Sequence, residues 1–375
     1  MTSSHTLIVN GKRIDAERGM TVADAALRGG VVIPTDCASG QCGTCSVRVV
    51  AGHVDGEESE VGRYVLACQA RISGPVEVQF EQMAAPVRRR GRVAAVAFLT
   101  PDIAEVCVEL DDPLVWRPGQ YVKLAFQGYP SRDYSPTSPV RAPVRPTRLL
   151  FHIRVFQQGA VSSALRGAIG VGHRVIVDGP YGSAFYRPGP TRLVLVGTST
   201  GWAPLWAIAR VARLEEPKRP VSVVVGARRL HNLYMRDSFA WLREKGVSDL
   251  VLSSTETPAD DVADVHIGRT TDFLGSITAE DTIHAAGAPE MVEAVMRLAA
   301  DAGAQCFADP FTVSTTGRSF LERLRQAVDT SDPSRLQPTQ ARAFDSATGT
   351  DRADRMAPER PRGLTGGLAR WLRGR

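Results

Sequence analysis

The rhythm of apolar and polar positions along the chain changes three times. Up to residue 85 the runs are short: residues 6–10 read as a strand that turns through Gly11 into a second strand near Ile14. Thr21 has the character of a helix N-cap, with Asp24 three residues on. Val22, Ala25, Ala26 and Leu27 supply an apolar face that Gly29 ends. Two further strands at 46–50 and 76–80 complete an order compatible with a small β-grasp domain of the α+β class. From Val93 five closely spaced β segments, 93–98, 105–110, 121–126, 149–156 and 174–177, are separated by Pro and Gly and predict an antiparallel β-barrel. From Arg192 the strands at 193–196 and 221–225 are continuously apolar, the pattern of parallel strands covered on both faces. Helices at 203–213, 235–245 and 289–302 alternate with strands near 250–253, 282–286 and 305–308, which predicts an α/β parallel-sheet domain.

The chain is therefore expected to be multidomain: 1–85, a linker at 86–92 carrying Arg88, Arg89 and Arg90, a barrel at 93–190, an α/β domain at 191–311, and a mostly disordered tail at 312–375 with short helices at 319–328 and 367–373. Charge sharpens this division. Of the formal net charge of +5, the whole surplus lies in 312–375, where 12 Arg face 7 acids, leaving 33 basic and 33 acidic side chains in 1–311. The folded part is neutral, so a pI near 9.0 gives no argument for nucleic acid. Residues 1–85 are mildly acidic, with 7 Lys or Arg against 10 Asp or Glu. A composition of 43% hydrophobic and 23% charged residues is that of a soluble globular protein. The N-terminus lacks the basic flank and apolar core of a signal peptide, and no apolar run reaches the ~18 residues a bilayer requires. A cytoplasmic monomer without stable membrane association is expected.

The candidate chemistry starts with cysteine. Cys37, Cys42 and Cys45 lie in one nine-residue loop and Cys68 returns from a distant segment, the C-x4-C-x2-C plus one spacing of plant-type [2Fe-2S] ligands. Gly40 and Gly43 let the loop turn its backbone N–H groups toward the sulfurs. Structural zinc usually draws on two short Cys pairs where this loop has one, and disulfides are disfavoured without an export signal. Cys107 and Cys306 read as small buried hydrophobes. Over about residues 5–82 the chain resembles the plant-type ferredoxins.

A second constellation is Arg132, Tyr134 and Ser135, offering a cation, an aromatic face and a small hydroxyl, the groups a flavin needs. On a regular strand Ser135 would point away from the other two, so the strand must twist or end there. Residues 116–121, Trp-Arg-Pro-Gly-Gln-Tyr, precede it, and Gly159, Ala160, Val161 and Ser162 follow, opening an expected helix at 161–168. In this order the chain resembles the ferredoxin reductase family, which implies a FAD-binding barrel ahead of a nicotinamide-binding domain. The resemblance implies flavin roles for Arg132, Tyr134 and Ser135, with Gly159, Val161 and Ser162 at the phosphates and Ser135 near the reacting N5. It also implies a turn at Gly179–Gly182.

Gly197 to Gly201, with Thr200, sits between an apolar strand and a helix and reads as a pyrophosphate cradle. Gly287, Pro289 and Met291 match the family's C-G-P-P-x-M segment, with Ala286 in place of its Cys, and Phe311 stands where the family places an aromatic shield over the flavin. Arg228 and Arg229 favour a 2′-phosphate and hence NADPH, whereas the resemblance favours NADH. NADH is the expectation, with NADPH left open.

The full order resembles the NADH-dependent reductase component of bacterial ring-hydroxylating dioxygenases and related multicomponent oxygenases. It implies hydride transfer from NADH to FAD, then single electrons through the cluster to a protein acceptor, here expected to be an oxygenase. Two alternatives stay open: a non-oxygenase acceptor such as a sugar-dehydrating enzyme or a cytochrome, and a redox-sensing subunit with impaired hydride transfer.

Overall fold

The computed structural model describes residues 4–35, 40, 44–55, 64–81, 85–256 and 264–312. The expected tail, with its two short helices, lies outside the described residues.

The first domain is a mixed five-stranded sheet. Strands β1 (Ser4–Val9), β2 (Lys12–Glu17), β3 (Ser46–Asp55), β4 (Tyr64–Leu66) and β5 (Arg71–Gln79) take the order β2-β1-β5-β3-β4, with β1 and β5 parallel and the other pairs antiparallel. Helix α1 (Val22–Arg28) is capped as expected: the Asp24 N–H donates to Thr21 Oγ1 at 3.1 Å. Alternate strand residues Leu7, Val9, Val47, Val49, Ile72 and Val78 fill a core closed by Val22 and Ala26.

Six strands follow: β6 (Val87–Thr100), β7 (Ile103–Leu110), β8 (Tyr121–Phe126), β9 (Arg132–Tyr134), β10 (Arg148–Arg154) and β11 (Arg174–Tyr181). They are antiparallel in the order β10-β7-β6-β11-β8-β9. Just beyond β9 the Thr137 N–H donates to Leu150 O on β10 at 2.8 Å, bringing the two ends of the sheet together as a barrel requires.

Two sequence expectations are corrected here. Residues 87–92 are no linker: they form the first half of β6, with Arg88 opposite Asp178 and Arg90 opposite Ile176 on β11. The strand was hidden because arginines occupy its outer positions 88, 90 and 92 and also the half-buried position 89, while its buried position is Gly91, where a Cβ would stand 2.4 Å from Glu109 O. The helix expected at 161–168 is a single 3₁₀ turn, Ser163–Arg166, ended by Gly167.

The third domain is a parallel sheet: β12 (Leu193–Thr198), β13 (Val221–Ala227), β14 (Leu250–Ser254), β15 (Val265–Ile267), β16 (Thr282–Gly287) and β17 (Gln305–Pro310) in the order β15-β14-β13-β12-β16-β17. The short edge strand β15 was not anticipated. Helices α2 (Trp202–Glu215), α3 (Arg236–Glu244) and α4 (Pro289–Asp301) cover it. Buried polar groups tie this domain to the barrel. The indole N–H of Trp206 donates to Ser138 O at 2.8 Å, Thr137 Oγ1 donates to Ala203 O at 2.6 Å, and His152 Nδ1 meets the Tyr234 hydroxyl at 3.1 Å.

Because Gly91 lies in a packed sheet, Gly91→Ala is expected to destabilise the protein by about 1–3 kcal/mol, the usual cost of overpacking. Urea unfolding measures this, and a linker position would show no change.

Candidate functional site

Two of the four predicted metal ligands are described. The Ala67 N–H donates to Cys45 O at 3.0 Å, which joins the returning segment to the cysteine loop. Cys45 is buried, both thiols are free of disulfides, and Cys45 Sγ lies 3.2 Å from Cys68 Sγ. With metal–sulfur bonds near 2.3 Å, two sulfurs at that distance can share one iron, so the pair fits the expected cluster. Gln69 Nε2 donates to Cys68 Sγ at 3.6 Å, the kind of outer hydrogen bond that tunes a thiolate ligand. Cys37 and Cys42 lie outside the described residues. Burial pushes the Cys306 thiol up to about 12 and raises that of Cys107, leaving both as inert packing groups.

A cleft of about 1680 Å³ runs between the barrel and the parallel sheet. Pockets for one ligand typically hold ~300–1,000 Å³, so this one has room for two. Arg132, Tyr134, Ser135, Gly159, Val161, Ser162, Thr200, Gly287, Pro289, Met291 and Phe311 all line it. β9 ends at Tyr134, which frees Ser135 to turn into the same cleft. Burial pushes the Tyr134 phenol up to about 12, and its ring packs 6.2 Å from that of Phe151, forming an apolar wall suited to a flavin ring. Ser162 differs from the expectation: its Oγ accepts from Phe156 N at 3.1 Å and so braces its own loop.

Gly197 and Gly201 do not line the cleft but shape it. A Cβ on Gly201 would stand 2.2 Å from Ala286 O, and one on Gly287 (φ +123°) 2.3 Å from Thr198 Oγ1. Their absence lets the loops after β12 and β16 touch, and Thr198 Oγ1 accepts from Ala288 N at 2.8 Å. Ser199 lines the cleft and takes φ +51°, a conformation that favours glycine, and its buried Oγ has no hydrogen-bond partner among the described residues. An orphaned hydroxyl at a strand-to-helix loop suits a bound nucleotide.

Sequence reading gave two acids no role. Ser135 Oγ donates to Asp309 Oδ2 at 3.1 Å, and Asp309 is held 174 residues away on β17. Burial pushes its carboxyl up to about 6, with Asp133 adding to the rise and the Ser135 hydrogen bond opposing it. At the far end, Glu256 stands 3.6 Å from Arg228 Nε and 3.8 Å from Arg229 Nε, placing an acid beside the two arginines that follow β13.

The fold and the two sites define a flavin and iron–sulfur oxidoreductase. Residues 7–73 match the 2Fe-2S iron-sulfur cluster binding domain, and residues 90–186 match the oxidoreductase FAD-binding domain. The chain is similar to the reductase subunit of an aromatic O-demethylase from an Amycolatopsis species, at 34% identity over 63% of this chain and 76% of that one. It is also similar to the ferredoxin–NAD(P)(+) reductase component of the naphthalene 1,2-dioxygenase/salicylate 5-hydroxylase systems of a Ralstonia species, at 32% identity over 77% and 92%. Among solved structures, an Amycolatopsis cytochrome P450 reductase superposes with a TM-score of 0.60 at 29% identity, covering 83% of this chain and all of that one. The chain belongs to the family of reductase components that join a 2Fe-2S ferredoxin domain to an FAD-binding oxidoreductase module.

Two outcomes are expected. Ser199→Gly should weaken nucleotide binding severalfold in titration calorimetry, because it removes the orphaned hydroxyl while leaving the backbone conformation accessible. Asp309 favours its protonated form in the fold, so its contribution to stability is complete below about pH 4 and is lost as pH rises through about 6. Asp309→Asn should therefore remove that loss from urea unfolding between pH 4 and 7, and remove an ionisation near pH 6 from the rate of flavin reduction.

Proposed function

We propose that this protein passes electrons from NADH, through FAD in the cleft and a [2Fe-2S] cluster held by Cys37, Cys42, Cys45 and Cys68, to a separate oxygenase component. The observation that carries this reading is the contact between the two sites. Thr44, next to Cys45, is buried, and its Oγ1 lies 3.3 Å from the hydroxyl of Tyr121, a residue that lines the cleft. The names of the relatives, reductases of dioxygenase and monooxygenase systems, support an oxygenase as acceptor.

When bound, FAD takes an electron pair from nicotinamide and releases single electrons, which a cluster carries one at a time. The chain's own residues prepare that exchange. Arg132 would pair with the flavin phosphates and Tyr134 would cover one ring face. Ser135 and Asp309 would hold a proton beside the reacting edge, where a carboxyl near 6 can give or take it close to neutral pH. Phe311 would cover the other face until nicotinamide displaces it. Gly197, Thr200 and Gly201 would shape the pyrophosphate loop, while Gly287, Pro289 and Met291 would frame the nicotinamide. Glu256 supplies the acid for ribose hydroxyls that the loop after β13 lacks, which supports NADH over NADPH.

In this reading the ferredoxin domain occupies 1–85, the FAD barrel begins at Val87 and extends to 190, and the nucleotide domain covers 191–311. The protein acts as a cytoplasmic monomer. No helix among the described residues is long and apolar enough to cross a membrane.

Anaerobic NADH should bleach the flavin absorbance within one turnover, after which the EPR signal of a reduced cluster should appear. Cys45→Ala should lose that signal together with reduction of a protein acceptor. Absence of bleaching by either nucleotide would favour the sensing subunit instead.

A further inference from the structure

The cluster-bearing domain meets the rest of the molecule across an incompletely packed junction. A cavity of about 480 Å³ opens there, lined by polar groups such as Ser46, Arg48 and Ser183 as well as by Tyr64 and Phe185. A cavity forfeits packing contacts across it, which gives weight to the contacts at its edges. One is the contact of Thr44 with Tyr121. A second set converges on Glu81.

Glu81 is fixed to the ferredoxin domain. The preceding Phe80 exchanges two hydrogen bonds with the Asn10 side chain, Phe80 N to Asn10 Oδ1 at 2.9 Å and Asn10 Nδ2 to Phe80 O at 3.0 Å. The Glu81 carboxylate accepts from Arg117 and lies 3.3 Å from Arg187 Nε, both cations belonging to the barrel. Arg187 is the more consequential partner. Its guanidinium lies 3.9 Å from the centre of the Phe185 ring and 4.1 Å from that of Phe307 on β17, and it also donates to Ser183 O and Phe185 O. Phe307 in turn stacks on His284 at 5.0 Å and receives the edge of Tyr64, from the ferredoxin domain, at 5.8 Å. His284 is kept uncharged by burial and by the neighbouring Arg187 cation, its pKa falling to about 3. A cation withdrawn from water between two rings demands a counter-charge, and removing one partner of such a pair is costly. An exposed pair would be worth little; this one gains its weight from Arg187, whose side chain is 22% exposed.

We propose that Glu81 is a positioning residue that, through Arg187 and Arg117, locks the ferredoxin domain so that the loop carrying Cys45 rests on Tyr121 at the flavin cleft. The inference rests on the electron route proposed above. In that step one electron leaves reduced flavin, which is oxidised, and arrives on the cluster, where one iron goes from ferric to ferrous; no proton crosses the junction.

The test uses Glu81→Gln and Glu81→Asp in the full chain loaded with both cofactors. Amide hydrogen exchange is followed by mass spectrometry over β4 and β17, whose side chains meet at the junction. Flash photoreduction of the flavin by a sacrificial tertiary-amine donor, with no nucleotide present, then times the arrival of the electron at the cluster. Glu81→Gln should speed exchange at both strands at least tenfold with α2 unchanged, and slow electron arrival at least tenfold. Glu81→Asp should recover at least half of the lost rate, and added salt should slow wild type but not Glu81→Gln. Exchange and transfer within twofold of wild type in Glu81→Gln, or Asp and Gln behaving alike, would overturn the proposal. Because light replaces NADH here, a protein that NADH fails to reduce would count against the proposed function while leaving the result at Glu81 readable.

Discussion

The close approach of two backbone loops, after β12 and after β16, is the constraint on which the cleft depends. Parallel neighbours in a sheet carry their connections out at the same end, so these two loops must pass each other within one strand spacing. They can do so because neither Gly201 nor Gly287 carries a Cβ, and the contact is fixed by Thr198 accepting from Ala288. This sets the line along which Ser199, Thr200 and Met291 reach the cleft, and it draws Ala286 into the contact. The position is buried at 2% exposure and packs against Gly201, so its backbone shapes the loop contact whatever side chain it bears.

The opposite wall is supplied by the barrel, and the two halves are joined by directional bonds. Thr137, Ser138 and His152 each spend a buried polar group on the third domain, alongside the apolar contacts of Trp202 and Trp206. Hydrogen bonds are short-ranged and angular, so they define an orientation better than apolar area does. The junction with the ferredoxin domain is different in kind. Among the described residues it combines a cavity, a hydroxyl pair, the edge contact of Tyr64 with Phe307 and the Glu81 carboxylate between Arg117 and the half-buried Arg187.

How much of this could be read from the sequence depended on how local the signal was. The four cysteines declare themselves because ligand spacing is a property of the chain. That Arg132, Tyr134 and Ser135 meet in one cleft was legible through their order among neighbouring motifs, and the need for the strand to twist or end at Ser135 followed from the two-residue period of a strand. β6 was lost because arginines filled its outer positions and Gly91 removed the inward apolar residue that would have marked it. Asp309, Glu256 and Arg187 were lost for another reason. Each takes its meaning from a partner that the fold brings from far along the chain, Ser135 for the first, the loop after β13 for the second, and Glu81 with Phe307 for the third. A positive φ at Ser199 has no sequence signal at all, because serine gives no hint of left-handed backbone.

β17 faces two ways. Cys306 and Ala308 pack toward α4, whereas Phe307 and Asp309 point to the opposite side, Phe307 into the ferredoxin junction and Asp309 to Ser135 in the cleft. Phe311 follows in the same phase, and its N–H donates to Gly287 O at 2.7 Å. Docking and chemistry are thus written on one face of one edge strand, at steps of two residues, or roughly 6.6 Å. A change in length of a single residue ahead of Phe307 would turn all three side chains away together. Such a strand can change in composition on its α4 side, but its frame cannot move without disturbing the domain contact and the cleft together.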